Sequence, residues 1–231
     1  IVLAAADYYR LAPAAQEAAD AGILLLTLDS DVDGGIARCF IGTDNYAAGR
    51  QMGEELLRRI PEGGKVGVVG HVAGANTAIE RIRGATEVLE AAGCEVLPPV
   101  YCNNLSSEAQ AAVNKMLLEN PDMKGFIATN ELAANGMAAA LAAAGLQDSV
   151  ASVTCDNSTG QIAYLEQGVI DATIVQKPFN MGYFSMQVAI TLLNNPNDSS
   201  IPAVFDTGIE VITLENYFTP ENQKLLFPIW D

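Results

Sequence analysis

The chain has 231 residues, of which 50% are hydrophobic and 17% are charged. This is ample for a packed core in one or two domains. With 12 basic and 28 acidic side chains the net charge is -16, which repels phosphate backbones and argues against nucleic acid as a partner of this part of the chain. No apolar run approaches the roughly 18 residues of a membrane span.

Short apolar runs alternate with helix-like segments along the chain. The runs that predict strands are residues 1–4, 23–28, 39–42, 65–70, 94–101, 125–129, 150–155, 171–175 and 209–214. Residues 45–60 predict a helix, one face of which would carry Tyr46, Gly49, Gly53, Leu56 and Ile60. Residues 131–145 are rich in strong helix formers, and Gly145 predicts the end of that helix. The alternation predicts an α/β fold with parallel sheets covered by helices.

An acidic stretch, LTLDSDVDGG, follows the second predicted strand. Asp29, Asp31 and Asp33 alternate before Gly34, which resembles the start of an EF-hand calcium loop. The twelfth position of such a loop needs a bidentate Glu, and here it is Phe40. The stretch is therefore a strand that ends in an acidic turn, and its aspartates are either turn formers or ligands.

The cysteines and the histidine offer no metal site. The four cysteines are Cys39, Cys94, Cys102 and Cys155, none in a C-x-x-C pair, and His71 is the only histidine. Zinc-ligand spacing is therefore absent. A Cys155–His71 nucleophile pair is one interpretation, and buried structural thiols are the commoner one. We expect all four thiols to be unpaired.

Four polar residues lie at the ends of predicted strands: Asp29, Asn130, Asp156 and Gln176. In open parallel sheets, ligands bind outside the carboxyl ends of the strands. Each residue also has a structural interpretation. The two aspartates could form turns, Asn130 could cap the helix that begins near Glu131, and Gln176 could lie at the surface.

This set of side chains suits a polyhydroxylated ligand, because carboxylates accept from paired hydroxyls and amides both donate and accept. It lacks an activated nucleophile, a metal cluster and a general base of matched pKa, so we predict no enzymatic activity. Arg81 could add a fixed fork of donors to such a site. Because it follows Glu80 in a helix-like segment, it could equally be a solvated surface charge.

Five segments carry a resemblance to a known family. They are IGTDNYAAGRQMGEELL, ERIRGATEVLEAAG, NPDMKGFIATNELAANGMAAAL, YLEQGVIDATIVQKPFNMGY and DTGIEVITLENY. In order and spacing they resemble the sugar-binding proteins of bacterial ABC transporters, of the ribose-binding-like type I periplasmic binding protein class. The resemblance covers essentially the whole chain, and DSD followed by IGTDNYAAG is most similar to xylose-type members.

The resemblance implies two α/β lobes joined by a three-strand hinge, each a parallel sheet flanked by helices, with the ligand cleft between them. The first lobe would comprise residues 1–43 and 177–207, and the second residues 44–176 and 208–231. Family members begin the first lobe with two further βα units, so the resemblance also implies that this lobe is incomplete, with roughly 60 residues absent.

The resemblance further implies a ligand role for five residues matched by motif. The sugar-contacting Asp after a strand corresponds to Asp29, and the Arg of E-R-x-x-G corresponds to Arg81. The Asn of N-D/E-x-x-A is Asn130, the next strand-end Asp is Asp156, and the Gln before x-Pro is Gln176. Asp31 and Asp33 are then loop charges.

The sequence departs from ribose-type members at three positions. An aromatic that stacks on the sugar is expected around Asn104, which we include among the ligand-binding residues, and another is expected where Cys155 stands. Ribose-type members often have Arg in place of Ser30. The expected sugar is therefore a pentose or similar aldose other than ribose itself.

The resemblance implies a solute-binding protein that delivers a monosaccharide to an ABC transporter permease, with no cofactor and no catalysis. Such a protein is extracytoplasmic, either periplasmic or anchored as a lipoprotein, and no signal peptide is visible at the start of the sequence. Two other classes share the fold. They are the ligand-sensing effector domain of a LacI-type transcriptional regulator and the ectodomain of a membrane sensor.

Overall fold

The structure is a computed structural model that describes residues 1–227. The strands are β1 (Val2–Leu3), β2 (Leu26–Leu28), β3 (Cys39–Gly42), β4 (Lys65–Gly70), β5 (Glu95–Val96), β6 (Val100–Tyr101), β7 (Met123–Ala128), β8 (Ala151–Cys155), β9 (Ala172–Gln176), β10 (Val204–Asp206) and β11 (Ile209–Ile212). The helices are α1 (Ala12–Asp20), α2 (Asn45–Arg59), α3 (Asn76–Ala91), α4 (Ser106–Glu119), α5 (Glu131–Ala144), α6 (Thr159–Glu166), α7 (Pro178–Asn194) and α8 (Pro220–Leu226). Within residues 1–227, none of the helices has both the length and the apolar character to cross a bilayer.

The chain divides into two compact units. Unit 1 consists of Ile1–Asp44, Gly74–Ile79 and Gln176–Ile209, and unit 2 of Asn45–Ala73, Glu80–Val175 and the residues from 210 onward. The short segment Gly74–Ile79 belongs to unit 1, and the Tyr8 N–H donates to its Gly74 carbonyl at 2.9 Å. The predicted lobes place residues 74–79 in the second lobe instead. The cleft between lobes stays a prediction, and residues 228–231 of the predicted second lobe lie outside the described residues.

Unit 1 is built on a four-stranded parallel sheet of order β1-β2-β3-β10. Adjacent residues of a strand point to opposite faces. Leu26 packs with Val188 and Leu192 of α7 on one face, whereas Leu25 packs with Ala15 of α1 on the other. Strand β1 occupies one end of the sheet order.

Helix α7 carries an exposed row of apolar side chains, here called the α7 row: Phe179, Tyr183, Met186, Ile190 and Leu193. The residues are spaced four and three apart in alternation, so they share one face of the helix. The Phe179 and Tyr183 rings stack with centroids 6.1 Å apart. The α7 row lies on the side of the helix away from the core side chains Val188 and Leu192.

Unit 2 is built on a seven-stranded sheet of order β11-β9-β8-β7-β4-β5, with β6 also paired to β4. Strands β4 to β9 pair in parallel, as predicted. The core on one side contains Phe126 of β7 with Met137 and Leu141 of α5 and Val113 of α4. The α/β class with parallel sheets flanked by helices is confirmed.

The observed strands depart from the prediction in two places. The run 94–101 forms two short strands, β5 and β6, separated by Pro98 and Pro99, which have no N–H to donate to a sheet. Strand β10 has no predicted counterpart, because its three residues are half exposed or exposed and follow Pro202.

Glycines allow the helices of unit 2 to pack backbone to backbone. A Cβ at Gly84 of α3 would overlap the Tyr46 carbonyl of α2, and a Cβ at Gly49 of α2 would overlap the Arg81 carbonyl of α3. A Cβ at Gly136 of α5 would likewise overlap the Ser106 carbonyl at the start of α4. These close contacts hold the first half of α3, which carries Arg81, against α2. They also hold the start of α4, at Ser106, against α5.

Helix α5 begins and ends as predicted. The Asn130 side chain accepts from the Ala133 N–H at 3.0 Å, which caps the first turn. Gly145 follows the last turn with a φ of 66°, the left-handed conformation that glycine adopts most readily. The N-terminus of α5 therefore has a fixed position at the carboxyl end of the unit 2 sheet.

Candidate ligand-binding site

The predicted site residues of unit 2 lie around the carboxyl ends of its strands. Asp156 directly follows β8, and Asn130 is the second residue after β7. Asn104 follows β6, and Arg81 reaches the same edge from α3. Asp29 and Gln176 belong to unit 1.

Arg81 is 2% exposed, so the interpretation of a solvated surface charge is wrong. Its Nε donates to Asn45 Oδ1 at 2.8 Å, and its Nη1 donates to the Thr129 carbonyl at 2.7 Å. Burial of a guanidinium is costly unless its donors are paired, and these two bonds compensate part of that cost. They also hold the guanidinium beside the end of β7.

Asn104 and Asn130 are hydrogen-bonded to each other, since Asn130 Nδ2 donates to Asn104 Oδ1 at 3.1 Å. Asn130 Oδ1 is engaged with the Ala133 N–H. The capping role considered for Asn130 is therefore confirmed, and its ligand role is a proposal. The two amides form one polar surface that links the loop after β6 to the start of α5.

Asp156 lies at the N-terminus of α5, where its Oδ2 accepts from the Glu131 N–H at 3.0 Å. The Asp156 N–H donates to the Ile174 carbonyl at 2.9 Å. The positive end of the helix dipole favours a carboxylate at this point. A carboxylate fixed in this way is suited to accept hydrogen bonds from hydroxyl groups.

Backbone strain is concentrated at the predicted site residues. Among the described residues, four non-glycine residues have positive φ: Asp29 (62°), Asn103 (49°), Asn104 (57°) and Asp156 (80°). Asn and Asp adopt this left-handed conformation at lower cost than other side chains. Three of the four are predicted ligand residues, which is the pattern expected where strain serves a functional arrangement.

In unit 1, Asp29 directly follows β2, and its N–H donates to the Ile41 carbonyl at 3.0 Å. Ser30 Oγ donates to Asp29 Oδ2 at 3.2 Å. Gln176 is the last residue of β9, and its Oε1 accepts from Thr43 Oγ1 at 2.9 Å. Both side chains are partly buried, which differs from the surface position considered for Gln176.

The acidic turn after β2 is stabilised by its own side chains. Asp31 Oδ1 accepts from Thr27 Oγ1 at 2.7 Å and from the Val32 N–H at 2.8 Å. Asp33 lies beside the Tyr8 phenol, and its charge, after burial, contributes to raising the pKa of Tyr8. These contacts agree with the expectation that Asp31 and Asp33 are loop charges.

His71 is a further candidate site residue that the predicted set omits. It directly follows β4, so the strand-end rule that selected Asp156 also selects it. It is 7% exposed, and burial together with the Arg81 charge lowers the pKa of His71 to about 4. At neutral pH the imidazole is therefore uncharged, with one nitrogen that donates and one that accepts.

The four cysteines are buried free thiols. Burial raises the pKa of the Cys155 thiol, so it stays protonated at neutral pH. Since the thiolate is the nucleophile, this opposes the interpretation of a Cys155–His71 nucleophile pair. Across residues 1–227, no group of three His, Cys, Asp or Glu side chains could hold a metal ion.

Comparison with known proteins gives a consistent picture. A family model described as a periplasmic binding protein domain matches residues 1–197. The D-ribose/D-allose-binding protein of Pseudomonas aeruginosa is 30% identical over 220 residues, which cover 92% of this chain and 69% of that protein. The xylose/arabinose-binding protein of Sulfolobus acidocaldarius is 28% identical, over 77% of this chain and 44% of its own length.

Among solved structures, an ABC transporter solute-binding protein from Agrobacterium vitis with bound D-fucose superposes with a TM-score of 0.90. It is 28% identical, and the match covers 98% of this chain and 79% of that chain. The chain thus spans 69% and 44% of the two curated relatives and 79% of the solved structure. Because the family model matches most of its length, the chain belongs to the periplasmic binding protein domain family.

Proposed function

We propose that this chain is the sugar-binding part of a solute-binding protein that takes up a monosaccharide, a pentose or similar aldose. The observation that carries the proposal is the polar surface at the strand ends of unit 2, where Arg81, Asn104, Asn130 and Asp156 are fixed in a hydrogen-bonded arrangement. A guanidinium, two amides and a carboxylate offer the donors and acceptors that neighbouring sugar hydroxyls require.

Each side chain has a role in this proposal. The Asp156 carboxylate accepts from a pair of sugar hydroxyls, and the Arg81 guanidinium donates to a ring or hydroxyl oxygen. The amides of Asn104 and Asn130 donate to and accept from further hydroxyls. Asp29 and Gln176 of unit 1 remain ligand candidates on the motif match described above.

The protein would deliver its sugar to the permease of an ABC transporter and would act outside the cytoplasm, without catalysing a reaction. The names of the relatives support this, since they are binding proteins for ribose, allose, xylose and arabinose. An effector domain of a LacI-type regulator or a sensor ectodomain would use the same fold. It is less well supported because the relatives and the solved structure described above are solute-binding proteins.

Isothermal titration calorimetry of the purified chain with D-ribose, D-allose, D-xylose and D-fucose tests the proposal. We expect saturable one-to-one binding of at least one of these sugars. The same sugar at 100 times its dissociation constant should raise the free energy of unfolding by about 2.7 kcal/mol. Absence of both effects for all four sugars and for further aldoses would contradict the proposed function.

Two arginines of the same helix provide a matched pair of variants. Arg81→Lys replaces the buried fork by a single ammonium, which cannot occupy the positions of both Nε and Nη1, so the dissociation constant should rise at least about tenfold. Arg83→Lys changes an exposed residue that pairs with Glu80 and should leave affinity unchanged. Equal affinities in the two variants would remove Arg81 from the site.

A further inference from the structure

Three loops at the strand ends of unit 2 are joined in a closed ring of contacts. His71 Nδ1 lies 3.0 Å from Thr129 Oγ1. Thr129 is followed by Asn130, whose Nδ2 donates to Asn104 Oδ1 at 3.1 Å. The Asn104 N–H donates back to the His71 carbonyl at 3.3 Å. His71 thus closes the ring with both its side chain and its backbone.

Thr129 is the residue on which the ring and Arg81 converge. It is fully buried, its N–H donates to the Val69 carbonyl at 3.0 Å, and its carbonyl accepts from Arg81 Nη1 at 2.7 Å. A displacement of Thr129 would therefore move Asn130 along the chain and Arg81 through the hydrogen bond. The imidazole of His71 is the side chain that contacts the Thr129 hydroxyl.

The charges that face His71 come from two elements. Arg81 of α3 opposes protonation of the imidazole, and Asp156 after β8 favours it. Burial adds to the effect of Arg81, and together they lower the pKa of His71 to about 4. At neutral pH His71 Nδ1 either donates to the Thr129 hydroxyl or accepts from it, depending on the tautomer, whereas in an imidazolium it can only donate.

We propose that His71 is a positioning residue of the sugar site, which acts through Thr129 to hold Arg81 and Asn130 in the arrangement that binds. This deepens the proposed function and rests on it for the affinity measurements. By the same proposal, the arrangement of Arg81, Asn104 and Asn130 in the sugar-free protein depends on His71. This dependence can be measured without a ligand.

The first experiment is nuclear magnetic resonance of the sugar-free chain, labelled with ¹⁵N, between pH 7.5 and 3.5. Because His71 is the only histidine, its ring nitrogens give unambiguous signals. We expect the imidazole to titrate well below its ordinary range. We also expect the side-chain NH₂ signals of Asn130 and the Nε–H signal of Arg81 to shift with the same midpoint.

The control for this titration is His71→Asn, in which an amide replaces the ring near the position of Nδ1 and has no charge to gain. In that variant the shift of the Asn130 and Arg81 signals with the imidazole midpoint should vanish, while any shift that does not depend on His71 should remain. An imidazole with its ordinary pKa, or Asn130 and Arg81 signals that do not follow it, would overturn the proposal.

The second experiment compares His71→Asn with His71→Leu in calorimetry, using whichever of D-ribose, D-allose, D-xylose and D-fucose the wild-type chain binds. His71→Leu should raise the dissociation constant at least about fivefold, because the Thr129 hydroxyl loses its partner. His71→Asn should stay within about twofold of wild type, since it keeps a polar atom for Thr129. Urea denaturation of both variants separates loss of affinity from loss of folding.

Thr129→Val gives an independent arm, because it removes the partner and leaves the imidazole. If His71 acts through Thr129, the effects of His71→Leu and Thr129→Val on affinity should be strongly non-additive. Additive effects, or unchanged affinity in folded His71→Leu, would overturn the proposal. If the wild-type chain binds none of the sugars, the proposed function fails, and the sugar-free titration still decides the role of His71.

Discussion

The two units hold their candidate ligand residues in different ways. In unit 2, Arg81, Asn104 and Asn130 are linked through bonds that reach the fully buried Thr129. In unit 1, Asp29 is held by contacts within its own sheet, from its N–H to Ile41 and from Ser30 to its carboxylate. The surroundings differ as well, since unit 1 has a four-stranded sheet and an exposed α7 row, whereas unit 2 has a seven-stranded sheet.

This difference bears on how each unit would take part in binding. A network fixed before the ligand arrives lowers the entropy lost on association, so the polar surface of unit 2 is preorganised. In unit 1 the bonds of Asp29 run to Ile41 and Ser30, and the bond of Gln176 runs to Thr43. We therefore expect substitutions in the polar surface of unit 2 to affect stability and affinity together.

A pair of methionines gives the largest expected contrast. Met137 of α5 is fully buried in the core of unit 2, and Met186 of the α7 row is 58% exposed. Met137→Ala should lower the free energy of unfolding by about 2–5 kcal/mol, and Met186→Ala should change it by less than about 0.5 kcal/mol. Urea denaturation at pH 7 measures both. A large loss in Met186→Ala would show that the α7 row is covered in solution.

Substitution of Asp156 tests whether the polar surface of unit 2 contributes to the affinity for a sugar. Asp156→Ala removes an acceptor of hydroxyl hydrogen bonds and should cost about 2–4 kcal/mol of sugar binding in calorimetry. Because φ is 80° here, alanine should also cost about 1–2 kcal/mol of stability, measured by urea denaturation.

Two further variants complete the Asp156 test. Asp156→Asn tolerates the left-handed conformation and isolates the loss of charge. Asp122→Ala, at an exposed carboxylate that pairs with Lys65, is the control and should keep full affinity. Full affinity in Asp156→Ala would exclude Asp156 from the site.

The pH dependence of stability tests the burial of His71. The pKa is about 4 in the folded protein and about 6.5 when unfolded, so the unfolded chain binds more protons between these values. The contribution of His71 to the free energy of unfolding is fully present above about pH 6.5. It is lost as the pH falls toward 4, by about 3 kcal/mol in total. His71→Asn should lack this part of the loss. If urea denaturation showed the same pH dependence of the free energy of unfolding for wild type and His71→Asn, the prediction would be wrong.

Two helical glycines give the smallest expected contrast. Gly84→Ala would force apart α2 and α3 and should cost about 1–3 kcal/mol of stability. A Cβ added at Gly182 of α7 would have no heavy atom within 4 Å. Gly182→Ala should therefore stabilise the chain by about 0.5–1 kcal/mol. Thermal denaturation measures the sign of each change. A stabilised Gly84→Ala would show that the helices can separate at no cost.

The fold was predictable from the sequence because its signals are local. Alternation of apolar runs and helix formers predicts the strands and helices, and Asn130 and Gly145 mark the ends of α5. The break between β5 and β6 is visible in Pro98 and Pro99, which interrupt an otherwise apolar run. The short, partly exposed β10 has no such signal, because its pairing depends on β3, far away in sequence.

The candidate site was predictable only in part. The strand-end rule finds Asp29, Asn130 and Asp156, because position along a strand can be read from the sequence. The burial of Arg81 cannot be read in this way, since its partners Asn45 and Thr129 are distant in sequence. The positive φ values likewise result from how the loops pack, and no pattern in the sequence predicts them.

The left-handed backbone at Asp29, Asn104 and Asp156 limits how a sugar preference at the proposed site could evolve. At these positions Asn, Asp and Gly fit the backbone, whereas Glu, Gln or Ser would add a conformational cost to any gain in recognition. New specificities are therefore more accessible through neighbours with ordinary backbone, such as Cys155 or Ser30. A mutant library built for another sugar should hold the three strained positions to Asn and Asp and diversify those neighbours.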